Sequence, residues 1–264
     1  MRAYEPSGSD PRVGICLKTA QIDALSDLMF DYAEFPFSEI ALLSEPGFAC
    51  FCEQTEQQKL ACPVMTHLLP KNGRVVDTDD PFRPFVEYLT TGFNRARQLG
   101  TRIVILGNAG ARNVNRGFSR ELALSRLLAF CQAAANLASE YDISICLEPL
   151  NRTQSNLINT VAEAAEIAAA AGRPNFGLVW DYYHFLVEKD DICDVRKYAS
   201  LIKHCHTAAL LRRGIPDAEE QDELIRCLRD IGYGGRVSFE FDWLPEEPDR
   251  LNHAAGSFRE AMKK

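Results

Sequence analysis

Short apolar runs rich in Val, Ile, Leu and Cys recur eight times along the chain, and longer segments of helical character separate most of them. The runs fall at residues 13–17, 32–35, 62–69, 102–106, 143–148, 176–181, 201–207 and 236–241. Strands that alternate with helices return parallel to one another through right-handed crossovers. Eight such strands suit closure into a single (β/α)8 TIM barrel, for which 264 residues is about the usual length. An open doubly wound sheet is the competing arrangement. It is disfavoured because no Gly-x-Gly-x-x-Gly follows the first run. No linker-like stretch divides the chain, so residues 1–264 are read as one α/β domain.

The helices carry their own start and stop signals. Residues 84–99 run to Gly100, a C-terminal stop. Residues 119–141 are Ala/Leu-rich, with Ser119 placed to cap the first turn. Thr160 precedes an Ala-rich run that ends at Gly172, and Glu163 three residues on completes a capping-box pattern. Residues 216–231 end at Gly232, and 248–262 form a last helix. Residues 38–58 give the poorest helical signal and are read as a short helix inside a long loop.

Composition narrows the partners. A net charge of −8 without any Lys/Arg run argues against nucleic acid, whose phosphates ask for a basic face. Nine cysteines at scattered spacings, with no Cys-x-x-Cys, read as reduced, mostly buried thiols of a cytoplasmic protein. No run of about 20 apolar residues suggests a membrane span. The polar residues 1–11 lack the apolar segment of a signal peptide. A homo-oligomer is only the general default for such chains.

Four metal-capable side chains stand at four consecutive predicted strand ends: Glu148, Asp181, His206 and Glu240. The intervals are 33, 25 and 34 residues, each close to one βα unit. A lone strand-end carboxylate is most often a helix cap or a solvated loop residue, and a lone histidine in an apolar run a satisfied core residue. In a barrel, however, the C-terminal strand ends converge on one mouth. Three carboxylates and an imidazole arriving there form a hard donor set for one divalent ion. Mn2+, Mg2+ or Co2+ suit it best, with Zn2+ also compatible. His184, three residues past Asp181, reaches the same mouth, as can His67 after the third strand. Glu34 ends the second strand and Arg112 follows the fourth, both placed to meet substrate hydroxyls or a carboxylate.

Leu147-Glu148-Pro149-Leu150-Asn151-Arg152, Trp180-Asp181-Tyr182-Tyr183-His184, His204-Cys205-His206-Thr207-Ala208 and the segment from Gly232 to Glu240 resemble, in that order, the metal-site motifs of the xylose-isomerase-like TIM barrel superfamily. The resemblance covers most of the chain and is strongest over 102–241. It is nearest to the ketose 3-epimerases and hydroxypyruvate isomerases. It implies that Glu148 and Glu240 act both as metal ligands and as the acid/base pair. They would move a proton beside the carbonyl of a small sugar or keto-sugar through a metal-stabilised enediolate. It also implies substrate contacts at His184, at position 154 and at an arginine after the seventh strand.

Two positions depart from the family pattern. Gln154 stands where the epimerases usually carry a glutamate, and Ala209 where an acidic residue is usual. Arg213 fits the Arg-x-x-Pro spacing while Arg212 fits the spacing from the histidine, and both remain candidates. The trinuclear zinc site of the DNA-repair members of the superfamily is disfavoured, because the fourth strand ends in Leu106-Gly107-Asn108 without a histidine. Two other functions compete: a metal-dependent lyase or dehydratase of a keto-inositol or keto-glycoside, and a sugar-binding barrel without catalysis.

Overall fold

The structure is a computed structural model that describes residues 12–59, 61–209, 219–240 and 248–263. Eight parallel strands close into a barrel in sequence order. They are Arg12–Cys16 (β1), Tyr32–Pro36 (β2), Val64–Thr66 (β3), Ile103–Leu106 (β4), Ser144–Leu147 (β5), Phe176–Asp181 (β6), Ile202–Thr207 (β7) and Arg236–Phe239 (β8). Each lies within or beside one of the predicted runs. The helices are Phe37–Leu42 (α1), Glu45–Gln58 (α2), Val86–Gln98 (α3), Ala109–Arg112 (α4), Arg120–Ser139 (α5), Val161–Ala171 (α6), Tyr182–Glu188 (α7), Ile192–Lys197 (α8), Asp222–Asp230 (α9) and Pro248–Lys263 (α10).

Period-two alternation along each strand sorts the side chains into two layers. Val64, Ile103, Ile105, Cys146 and Val179 form a cluster inside the barrel. Their neighbours Met65, Val104, Leu106, Ile145, Leu147, Leu178 and Trp180 belong to the larger core between strands and helices. The same alternation carries Glu148 to the inner face two residues beyond Cys146, and Asp181 two beyond Val179. β6 and β7 change register between Leu178 and Val179, after which Val179 pairs with His204 and Asp181 with His206.

The helix signals hold with three corrections. Residues 38–58 are more helical than predicted, forming α1 and α2. Ser44 caps α2 by accepting the Gly47 N–H at 3.2 Å, Pro46 lies in its first turn, and Lys59 closes it in the left-handed conformation. At α6, Thr160 accepts the Glu163 N–H as expected, but Glu163 takes the N–H of Asn159 rather than that of Thr160. There Ile158, at φ +60°, turns the chain into the helix. Helix α9 starts later than predicted, at Asp222, because Gln221 is buried and tied to Thr207 and to the Ala208 carbonyl; residues 216–218 lie outside the described residues. Contrary to the sequence expectation, α5 is long and apolar enough to cross a membrane by length and composition alone. Its Ala/Leu content accounts for this. Ala123, Leu127, Phe130, Cys131, Ala134 and Ala138 are buried in the helix–strand core.

Candidate metal centre

Asp181 is the last residue of β6, His206 the last but one of β7, and Glu148 and Glu240 directly follow β5 and β8. The ladder extends to both glutamates. The Glu148 N–H donates to the Leu106 carbonyl at 3.3 Å and the Glu240 N–H to that of Thr207 at 2.9 Å. One ligand atom from each of Glu148, Asp181, His206 and Glu240 lies within 4.8 Å of all the others. His206 Nδ1 is central, 3.2 Å from Glu148 Oε1 and 3.0 Å from Glu240 Oε2. Burial works against charging His206, but the carboxylates of Glu240 and Glu34 outweigh it and push its pKa well above the usual histidine value. Three carboxylates gathered in a buried space repel one another unless a cation stands among them. The donor set therefore fits one divalent ion.

Two features seat Glu148. A Cβ on Gly107 would lie 1.9 Å from Glu148 Oε2, so the carboxylate rests directly on the backbone of the fourth strand's extension. Arg112, at the end of α4, donates to the backbone carbonyls of Leu106 at 3.2 Å and Glu148 at 2.5 Å. It joins the ends of β4 and β5 from behind. Burial lowers its pKa to about 10.

His184 sits in the first turn of α7, whose N-cap is Asp181: Asp181 Oδ1 accepts the His184 N–H at 2.9 Å. Asn151 Oδ1 accepts the Thr153 N–H, which leaves its amide nitrogen facing His184. His184 Nδ1 then accepts from both the Asn151 main-chain N–H, at 3.2 Å, and Nδ2, at 2.8 Å. In a neutral ring Nε2 must carry the proton, so it is a donor, 3.9 Å from Asp181 Oδ2.

Beneath His206 and Glu240 the barrel interior is polar. Glu34 is fully buried. Its Oε2 lies 3.2 Å from His206 Nε2, and its Oε1 accepts from the Ser238 hydroxyl and lies 2.7 Å from His204 Nε2, a contact not aligned as a hydrogen bond. Tyr32 OH stands 2.6 Å from Ser238 Oγ. Burial alone would raise the Glu34 pKa; His204 and His206 reverse this and hold it far below the usual carboxylate range. Burial lowers the His204 pKa. Cys16 Sγ lies 4.0 Å from His206 Nε2, and burial pushes its thiol pKa well up. Gly14 makes room for this floor, since a Cβ there would fall 2.2 Å from the Tyr32 ring.

The structure thus brings all four predicted ligands together and His184 beside them. It places other predicted contacts differently. Glu34 lies under His206 instead of at the mouth, because the inner face of β2 points to β7 and β8. Arg112 is fully buried against main-chain carbonyls. His67 and Gln154 are exposed, His67 with φ +53° and Nδ1 3.1 Å from Thr66 Oγ1. Arg212 and Arg213 lie outside the described residues. The sequence reading missed His204, Ser238, Tyr32, Gly107 and Asn151. The first three were accessible by stepping back two residues from His206, Glu240 and Glu34 along their strands.

The model of the xylose isomerase-like TIM barrel family matches residues 22–261. D-psicose 3-epimerase from Agrobacterium fabrum is 33% identical over 109 residues, covering 40% of this chain and 37% of that protein. The chain spans under half the length of the curated epimerases it matches. Among solved structures, the 3-keto-D-glucoside 4-epimerase from E. coli superposes with a TM-score of 0.79 at 16% identity, over 95% of this chain and 99% of that one. The IOLI protein, solved with a bound zinc atom, gives 0.65 at 16% identity, over 96% and 95%. At these identities the superpositions show a shared fold.

Proposed function

This chain belongs to the xylose isomerase-like TIM barrel family, and from that premise we propose that it is a divalent-metal-dependent isomerase or epimerase of a small sugar or keto-sugar. The observation that carries the reading is the convergence of Glu148, Asp181, His206 and Glu240 at four successive strand ends. Names among the curated relatives, D-psicose 3-epimerase, ketose 3-epimerase and inosose isomerase, support the substrate class. Oxygen-rich donors favour Mn2+, with Mg2+ and Co2+ next; the zinc-bound neighbour keeps Zn2+ in view. Nine free cysteines favour a reducing compartment such as the cytoplasm.

The ion would act as a Lewis acid on a carbonyl and its adjacent hydroxyl, stabilising the charge that develops when the neighbouring carbon loses its proton. Glu148 and Glu240 flank His206 Nδ1 and are the proton-moving groups. One carboxylate oxygen takes the proton from carbon and the other glutamate, or the same one, returns it. Return to the opposite face of the same carbon gives epimerisation; return to the adjacent carbon, with the hydroxyl proton passing to the former carbonyl oxygen, gives isomerisation. His184, with its proton on Nε2, donates a hydrogen bond to a substrate oxygen. Glu148 and Asp181 are buried, whereas Glu240 is partly exposed and can exchange its proton with solvent. His67, Gln154 and one of Arg212 and Arg213 are proposed to bind outlying hydroxyls, with Gln154 supplying a neutral amide.

The test is a titration with Mn2+, Mg2+, Co2+ and Zn2+, followed by incubation of the loaded protein with a panel of keto-sugars in D2O. Metal-dependent deuterium incorporation with a new epimer or isomer is the expected result. Elimination products would reassign the chain as a lyase. Tight sugar binding without exchange would make it a binding protein.

A further inference from the structure

We propose that Glu34 is a positioning residue for the metal centre, holding the Nε2 proton of His206 so that Nδ1 faces Glu148 and Glu240. This rests on the metal reading of those four residues. A neutral imidazole has one ring proton, and the nitrogen that binds an ion must be the one without it. Nδ1 is the nitrogen beside the two glutamates, at 3.2 and 3.0 Å. The proton therefore belongs on Nε2, where it needs an acceptor. Glu34 Oε2 stands 3.2 Å away in a fully buried space. A carboxylate only accepts, so it selects that tautomer.

Glu34 is itself held from the strands that carry the ligands. Ser238, two residues before Glu240 on the same face of β8, donates its hydroxyl proton to Glu34 Oε1. With its proton so directed, Ser238 Oγ accepts from Tyr32 OH at 2.6 Å. Tyr32 stands two residues before Glu34 on the inner face of β2, so the hydroxyls form a one-way chain ending on the carboxylate. His204, two residues before His206, flanks the same Oε1 at 2.7 Å. The side chain that orients His206 is thus anchored from β8, with His204 of β7 packed against it. A rival arrangement uses the same atoms. Cys16, Glu34 and His206 Nε2 could themselves hold an ion. A neutral ring cannot give Nε2 to an inner ion and Nδ1 to an outer one, so the two arrangements exclude each other.

Zn2+ titration against a chromophoric chelator, with 15N spectra of the zinc-loaded protein, separates them. The wild type is expected to bind one Zn2+ per chain, with zinc on His206 Nδ1 and a directly bonded proton on Nε2. Glu34→Ala should weaken Zn2+ by about 10–100-fold and lose the single-tautomer signature. Glu34→Gln, whose amide oxygen still accepts, should recover part of both. Should Glu34→Ala not fold, Ser238→Ala removes only the hydroxyl that anchors Oε1, and a smaller loss of affinity is expected. Unchanged affinity and spectrum in the folded Glu34 variants, or in Ser238→Ala where Glu34→Ala does not fold, would overturn the proposal. So would a second Zn2+ per chain, or a thiolate-to-cobalt absorption band after Co2+ loading, since Glu34 would then be a ligand. A wild type that binds no ion would fail the metal reading itself and take this proposal with it, an outcome distinct from wild type and variants binding alike.

Discussion

On the β3–β6 side of the barrel the interior is filled by Val64, Ile103, Ile105, Cys146 and Val179. On the opposite side, from β7 through β8 and β1 to β2, the equivalent layers hold His204, His206, Ser238, Cys16, Tyr32 and Glu34. The backbone is the same parallel ladder throughout. The first side stabilises by filled volume, and each of its residues could be exchanged for another apolar one of like size at modest cost. The second side depends on matched donors and acceptors, where losing one partner strands another. The four candidate ligands span the boundary. Glu148 and Asp181 extend the apolar side and His206 and Glu240 the polar one, so the centre has a packed wall and a hydrogen-bonded wall.

Substitutions on the two sides should separate function from stability. The largest expected effect is from Glu240→Gln, which should lower deuterium exchange about 1,000-fold, within the range for removing a general base, while leaving the thermal midpoint near the wild-type value. Full exchange activity in that variant would break the assignment. Ile103→Ala, on the apolar wall, should cost about 2–5 kcal/mol in denaturant unfolding, yet leave metal affinity unchanged in the folded fraction. A matching fall in affinity would show that the two walls are not independent. Gly107→Ala adds one methyl where the Glu148 carboxylate rests, and should weaken metal binding about 10–100-fold in a calorimetric titration. The smallest effect is that of pH. The Glu240 and Glu34 charges overcome burial and raise the His206 pKa, so below that pKa an incoming ion must displace a proton from Nδ1. Metal affinity should rise about tenfold per pH unit and level off above it. An affinity flat with pH would mean that His206 is already neutral in the metal-free protein.

The barrel was legible because the strands fall in short apolar runs and most connections carry a helix signal. The convergence of Glu148, Asp181, His206 and Glu240 was legible because barrel geometry turns a strand end into a place on the mouth. What stayed hidden depends on neighbours remote in sequence. Nothing around Glu34 announces that its partners are Ser238 and His204, 204 and 170 residues away by number. The run 38–58 was under-read because it holds two helices separated by only Leu43 and Ser44, although Ser44-Glu45-Pro46 carries the N-cap signal of the second. Arg112 looked like a substrate contact because it follows the end of the fourth strand. The short helix α4 instead carries it back under the strand ends.

Gly14 and Tyr32 are sterically coupled. The ring of Tyr32 occupies the space that any side chain at position 14 would need. A larger residue at position 14 would require a smaller or differently turned residue at position 32, at the expense of the phenol contact to Ser238. Covariation between these two sites, both far from the mouth, would therefore mark which members of the lineage keep a charged floor beneath the histidine and which have rebuilt it.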